Sequence, residues 1–236
     1  MGVMRFAIHS PANHEDNGSF HRAYISGMDG RVFPMRIEIA EGLMICRRQI
    51  QESGNLNVSW PVEGFGRPVL RTSTLMERDE PYLLPLELAS GKISQVRNQL
   101  ATWDQQGMRI PSKFTIANSQ AHHHFAQAIA AQHTDVTQCC EFAQQALTQA
   151  CTAADLLSRA YTQQRLQFRR KRSAQLPALL GCNLGWEPPD DSWNKPFKDA
   201  FTAALVPVEW KTDEPTEGQQ EWSAGGAQIQ CCRDNH

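Results

Sequence analysis

The chain has 236 residues, 41% of them hydrophobic, and 23 Lys and Arg against 25 Asp and Glu for a net charge of −2. That length fits one large domain or two small ones. The composition excludes a disordered tail, and the charge balance excludes a nucleic-acid binder that is cationic throughout. No apolar run reaches the ~18 residues a membrane helix needs. The start of the chain lacks the apolar core of a secretion signal, and Gly2 lacks the downstream Ser or Thr of a myristoylation site. Seven cysteines (Cys46, Cys139, Cys140, Cys151, Cys182, Cys231 and Cys232) contain no Cys-x-x-Cys spacing. Adjacent cysteines suit neither disulfide geometry nor paired zinc ligation, so free thiols in a reducing, cytoplasmic compartment are expected.

Residues 1–88 read as a β-rich N-terminal domain. Arg36-Ile37-Glu38-Ile39 alternates strictly, Glu41-Gly42 offers a tight turn, and Leu43-Met44-Ile45-Cys46 resumes as a second strand. Leu56–Trp60 and Val69–Ser73 read as further strands, separated by Gly54 and by the loop from Pro61 to Pro68. Turn signals about every ten residues suggest a small antiparallel sheet or sandwich. Gly64-Phe65-Gly66-Arg67-Pro68 lacks the Lys-Ser/Thr and following helix of a phosphate loop and reads as a plain loop.

Residues 89–173 read as helical. Ser90 is a candidate N-cap for a helix carrying Ile93, Val96, Leu100 and Trp103, with Gly107 as its stop. Pro111 or Ser112 opens a second helix through Phe114, Ala121, Phe125, Ala128 and Ile129. Thr134 or Asp135 caps a third, in which Val136, Cys140, Ala143, Leu147, Ala150, Ala154, Leu157 and Tyr161 recur at four- and three-residue steps. Such a repeat signals lengthwise packing, and it predicts a long helical hairpin with the first helix alongside and a surface for self-association. Unbroken, the segment from Asp135 to Phe168 would span about 50 Å.

Two local clusters on these helices invite chemical readings. His122-His123-His124 with His133 could suggest a metal. Adjacent helical residues point about 100° apart, and no second ligand sits four residues on, so a packed or solvated helix face is expected and no metal. Arg165, Arg169, Arg170, Lys171 and Arg172 end the third helix, where cations complement the helix dipole. No aromatic platform accompanies them, and no nucleic-acid partner is expected.

Residues 174–236 begin without a helical repeat. Leu179–Leu184 and Ala203–Val208 read as short buried strands, with a loop at Pro188–Asp191 and a short helix from Phe197 to Phe201 between them. Strand, helix, strand implies a parallel unit. Ile229-Gln230-Cys231-Cys232 fits a further helix. Trp186, Trp193, Trp210 and Trp222 could serve as sugar-stacking surfaces or as core filler.

Trp210, Glu214, Pro215 and Gly218, with Trp222 as the following aromatic, occupy a Trp-x-x-x-Glu-Pro-x-x-Gly pattern. In this the tail resembles the second βα segment of glycoside hydrolase family 10, the xylanases. Pro81-Tyr82-Leu83-Leu84-Pro85 and Lys92-Ile93-Ser94-Gln95-Val96-Arg97-Asn98-Gln99-Leu100 resemble the front region of large planctomycete-type proteins of that kind. The resemblance implies an α+β chain: a small β-sandwich, a helical hairpin region, then at 174–236 the incomplete start of a (β/α)₈ barrel. It also implies action on β-linked polysaccharide such as xylan, with Trp210 and Glu209 as substrate-binding candidates. A barrel needs about 250 residues, and the family's two catalytic carboxylates follow later strands, so no catalytic residue is expected here and no hydrolysis by this chain alone. Val206 and Glu209 stand where the family carries sugar-binding Asn and Lys. Neither cofactor nor membrane is implied, and the alternative is a non-catalytic carbohydrate-binding or protein-interaction module.

Overall fold

A computed structural model describes residues 2–9, 20–172, 179–185 and 191–234, and forms an α+β chain of two compact units, 1–168 and 169–236. In the first unit one four-stranded sheet has the order β4-β5-β1-β8, from β1 (Gly2–Ala7), β4 (Met35–Ala40), β5 (Leu43–Arg48) and β8 (Tyr82–Leu83). A second has the order β3-β2-β6-β7, from β2 (Tyr24–Ser26), β3 (Val32–Phe33), β6 (Asn55–Ser59) and β7 (Val69–Arg71). The expected hairpin is β4–β5, paired Ala40↔Leu43 across Glu41 and Gly42. Both turn residues have positive φ, 51° and 76°, which matches the right-handed twist of the flanking strands. Every strand pair in these sheets is antiparallel except β1 with β8, where Phe6 pairs with Tyr82 in parallel.

Alternation places Met4, Phe6 and Ile8 of the first segment, and Met44 and Cys46 of β5, in one core with Ile25, Leu56, Val58 and Trp60 of the other sheet. Three helices close over it: α1 (Leu84–Gln105), α2 (Ser112–Ala131) and α3 (Val136–Arg172). Ala128 and Ala131 of α2, and Cys139, Ala143, Ala146, Leu147 and Cys151 of α3, lie in the same cluster as the strands. The β-rich and helical stretches thus share one core. Further along, Val96, Phe114, Ala117, Ala153 and Leu157 form a second cluster, and Trp103 stacks on Tyr161 with ring centroids 4.1 Å apart. Gln164 binds the Arg109 backbone at both ends, accepting from its N–H at 2.8 Å and donating to its carbonyl at 2.9 Å.

The eight-residue repeat of α3 is mostly spent inside the chain. Cys140, Ala143, Leu147, Ala150 and Leu157 are buried against its own strands and helices, whereas Val136 is exposed. Cys139, Ala146, Cys151 and Ala153 are buried as well, because α3 packs on more than one side. The start of α1 differs from expectation. It begins at Leu84, where Pro85 occupies the first turn, and Ser90 lies inside the helix. Proline suits the first turn because its missing N–H would have no partner there. Asp135 does cap α3, accepting from the Gln138 N–H at 3.0 Å.

Glu87, near the start of α1, is half-buried, and burial raises its carboxyl above the ordinary 4.5 while Arg78 opposes the shift. A raised acid holds its proton more tightly in the folded chain. Stability therefore falls as pH rises from the unfolded value through the folded one, and the loss persists above it. Glu87→Gln is expected to raise the urea midpoint at pH 7 and to leave it unchanged at a pH below both values.

In the second unit, β9 (Gly181–Asn183) and β10 (Ala203–Leu205) pair in parallel around α4 (Asp191–Ala200). This is the strand–helix–strand order read from the sequence. Burial differs from that reading: Leu179, Leu180 and Leu205 are exposed, since among the described residues this sheet has only two strands. The helix also begins earlier than Phe197 and contains Pro196. Short α5 (Trp210–Asp213) and α6 (Ser223–Asp234) complete the unit, the latter tied by Gln228, which is buried and donates to the Gly185 carbonyl at 3.1 Å. No closed barrel forms among the described residues. Residues 186–190, with Trp186 and most of the expected loop, lie outside them, as do 173–178 and the side chain of Trp193.

Candidate functional site

The first unit carries a groove of about 990 Å³ between the Pro61–Gly66 loop and the outward face of α3. It arises from a stripe two residues wide. Positions 144, 145, 148 and 149 are Gln, Gln, Thr and Gln, and four-residue spacing sets them side by side on one face of α3, next to the buried stripe of Ala143, Leu147 and Ala150. Glu141 and Thr137 extend the stripe toward the helix start. Ile8, Pro61 and Val62 supply an aliphatic wall, and His9, Glu63 and His124 stand at the margins.

Gln144 ties the groove to the core. Trp60, fully buried beside Phe20, donates its indole N–H to Gln144 Oε1 at 2.9 Å, and Gln144 Nε2 donates to the Pro61 carbonyl at 2.9 Å. One amide thereby fixes both the helix face and the loop that opposes it. Leucine at this position would leave a buried indole N–H without a partner, which costs about 1–3 kcal/mol. Gln144→Leu is accordingly expected to lower unfolding free energy by that amount in a urea titration, with the change concentrated in tryptophan fluorescence.

Among the described residues the lining contains two carboxylates, two histidines and no Lys or Arg, so the groove does not favour phosphate or nucleic acid. Cys140 also lines it, but burial, reinforced by neighbouring Cys139, pushes its thiol up to about 11. A neutral thiol is a poor nucleophile at pH 7. Cys46 is pushed further, to about 12, by burial. None of the seven cysteines, all of them described, forms a disulfide.

The positions singled out from the sequence lie elsewhere. Trp210 is 77% exposed at the start of α5, and Glu209 precedes it with its backbone N–H donating to Asp213 Oδ2 at 2.7 Å. Glu214 Oε1 accepts from the Gly218 N–H at 2.7 Å, so the Glu-Pro-x-x-Gly segment is a self-braced turn. His123 and His124 meet edge to face, and His124 Nδ1 lies 3.2 Å from Gln127 Oε1. Among the described residues no three His, Cys, Asp or Glu side chains gather as a metal would require. The basic end of α3 is exposed, with the Arg165 guanidinium 5.9 Å from the centre of the Tyr161 ring. Among the described residues no helix is long and apolar enough to cross a membrane. The apolar repeat of α3 is the more conspicuous pattern in the sequence, and it masks the polar stripe beside it. The signal was present in the pairs 144–145 and 148–149.

No family model, curated protein or solved structure matches the chain.

Proposed function

We propose that the chain is a non-catalytic carbohydrate-binding module for a neutral β-linked polysaccharide of the xylan type, of the kind that accompanies a family-10-like glycoside hydrolase. The groove on α3 carries the reading. Primary amides donate and accept at once, which suits the vicinal hydroxyls of a sugar ring, and Gln145 and Gln149 line the groove beside the pre-oriented Gln144, with Thr148, whose hydroxyl donates to the Gln144 carbonyl at 3.1 Å, between them. The aliphatic wall of Ile8, Pro61 and Val62 fits the C–H edge of a pyranose. Absence of cationic groups from the lining favours a neutral ligand over an anionic one. The Trp-x-x-x-Glu-Pro-x-x-Gly resemblance of the tail supplies the substrate class, and exposed Trp210, with Glu209 beside it, offers an auxiliary stacking surface there.

Affinity electrophoresis through gels containing soluble xylan tests the proposal. Retarded migration is expected for the wild-type chain, with retardation weakened about tenfold in Gln145→Ala/Gln149→Ala, since two hydrogen bonds of ~0.5–1.5 kcal/mol each are lost. Gln145 is exposed and Gln149 only half-buried, so the double variant keeps the core intact. The same protein is expected to release nothing from an aryl xyloside. Migration unaffected by xylan, or retardation untouched by the double variant, would contradict the assignment; turnover lost on Glu209→Gln or Glu214→Gln would replace it with an enzyme.

A further inference from the structure

A second concavity of about 580 Å³ lies between β7 with its following residues and the face of α1. Its chemistry is the opposite of the first. Among the described residues Arg71 is its one charged lining residue, and the others are Asn, Gln, Ser, Thr and Gly. Asn55 is the keystone. It is buried, donates through Nδ2 to the Thr72 carbonyl at 2.9 Å and to Thr74 Oγ1 at 3.2 Å, and accepts the Arg71 Nη2–H on Oδ1 at 2.6 Å. Arg71 Nη2 also reaches the Gly27 carbonyl at 3.4 Å. Both of these contacts come from Nη2, which leaves Nε–H and Nη1–H, on different edges of the guanidinium, without a hydrogen-bond partner among the described residues. No carboxylate lines the groove to neutralise it. Facing it, Ser94, Gln95, Asn98 and Gln99 present hydroxyl and amide groups from one face of α1.

We propose that this groove binds a sugar acid, with its carboxylate on Arg71 and its ring hydroxyls on the amides of α1. With Nη2 engaged by the protein, the guanidinium offers a carboxylate its charge and a single charge-assisted N–H···O bond from Nη1, and an amide and hydroxyl wall has nothing to offer an apolar ligand. The site shares no residue with the α3 groove, so either can stand without the other. A free uronate and a uronate within a chain present the same chemistry.

The test is an NMR titration of the labelled chain with glucuronate, glucose, inorganic phosphate and a galacturonate trimer. Glucuronate is expected to shift the side-chain amides of Gln95 and Asn98, with glucose binding at least tenfold more weakly. Tighter binding of the monomer assigns the free acid as ligand, and tighter binding of the trimer assigns a chain residue; either supports the site. Arg71→Gln should weaken glucuronate about tenfold or more, the scale of a charge-assisted pair. Arg71 also braces Asn55, so Gln95→Ala/Asn98→Ala, both exposed, provides a second test and should weaken glucuronate several-fold without altering the fold. Glucuronate bound no better than glucose, phosphate bound as tightly as glucuronate, or a glucuronate affinity that is unchanged in both variants when followed on the backbone amides of α1 and β7 would overturn the proposal.

Discussion

Gly91→Ala is expected to destabilise the first unit by about 3 kcal/mol, although alanine is the better helix former by ~1 kcal/mol. The reason is the closeness of α1 to the strand beneath it. A Cβ on Gly91 would run into the Arg71 carbonyl oxygen and stand 2.6 Å from the Thr72 carbonyl carbon and 2.8 Å from its Cα. All three atoms are backbone, so no side chain can turn aside, and α1 must lift off β7. Gly91→Val should abolish cooperative folding. Gly226, in α6, is the control, since an added Cβ there meets nothing within 4 Å and Gly226→Ala should be neutral or stabilising. Urea unfolding followed by far-UV circular dichroism measures both. A Gly91→Ala chain as stable as the parent would mean that α1 does not sit so close to β7. The same separation would widen the groove that Arg71 lines, because that groove lies between these two elements.

Glu77→Ala should cost about 3–5 kcal/mol, the range for stripping a partner from a buried charge. Arg48, at the end of β5, has a side chain 1% exposed and meets Glu77 at 3.2 Å, with its guanidinium 5.4 Å from the centre of the Phe33 ring. Its Nε and Nη1 have no hydrogen-bond partner among the described residues. Glu77 therefore compensates the cation almost alone. Loss of the carboxylate leaves a charge that neither water nor protein solvates. Methionine can fill much of the same space without a charge, so Glu77→Ala/Arg48→Met should recover most of the loss. Guanidinium titrations of the three variants give the coupling. A Glu77→Ala variant within 1 kcal/mol of the parent would show that Arg48 is solvated by other means.

The sequence made some elements plain because a single local rule governed them. Strict alternation and Glu41-Gly42 marked the β4–β5 hairpin, and three- and four-residue steps marked α3. Pairing across distance was harder to see. Gly2–Ala7 alternates inward at Met4 and Phe6, yet its place between β5 and β8 depends on residues more than 35 positions away. The short strands β2, β3 and β8, of two or three residues, carry too few positions for a periodic pattern. Asn55 and Asn57 resemble loop residues by type, but each is buried in β6 because the neighbouring backbone satisfies its amide.

The candidate sites were less legible than the elements. Trp210 and Glu209 drew attention because of a motif, whereas the α3 groove consists of glutamines and threonine, residues that carry no signature. Their role follows from the loop that faces them and from the indole that orients Gln144, and the contact between Trp60 and Gln144 spans 84 residues of sequence. The Asn55–Arg71 pair was hidden for the same reason, since the two residues lie on separate strands, β6 and β7.

The most direct test of the central claim is a titration of the isotope-labelled chain with xylohexaose, followed through the side-chain amide resonances of glutamine and the indole resonances of tryptophan. The account predicts saturable shifts at Gln144, Gln145 and Gln149, with a smaller indirect shift at the Trp60 indole N–H. Resonances that do not move, or shifts confined to Trp210 and Trp222 in the second unit, would contradict it.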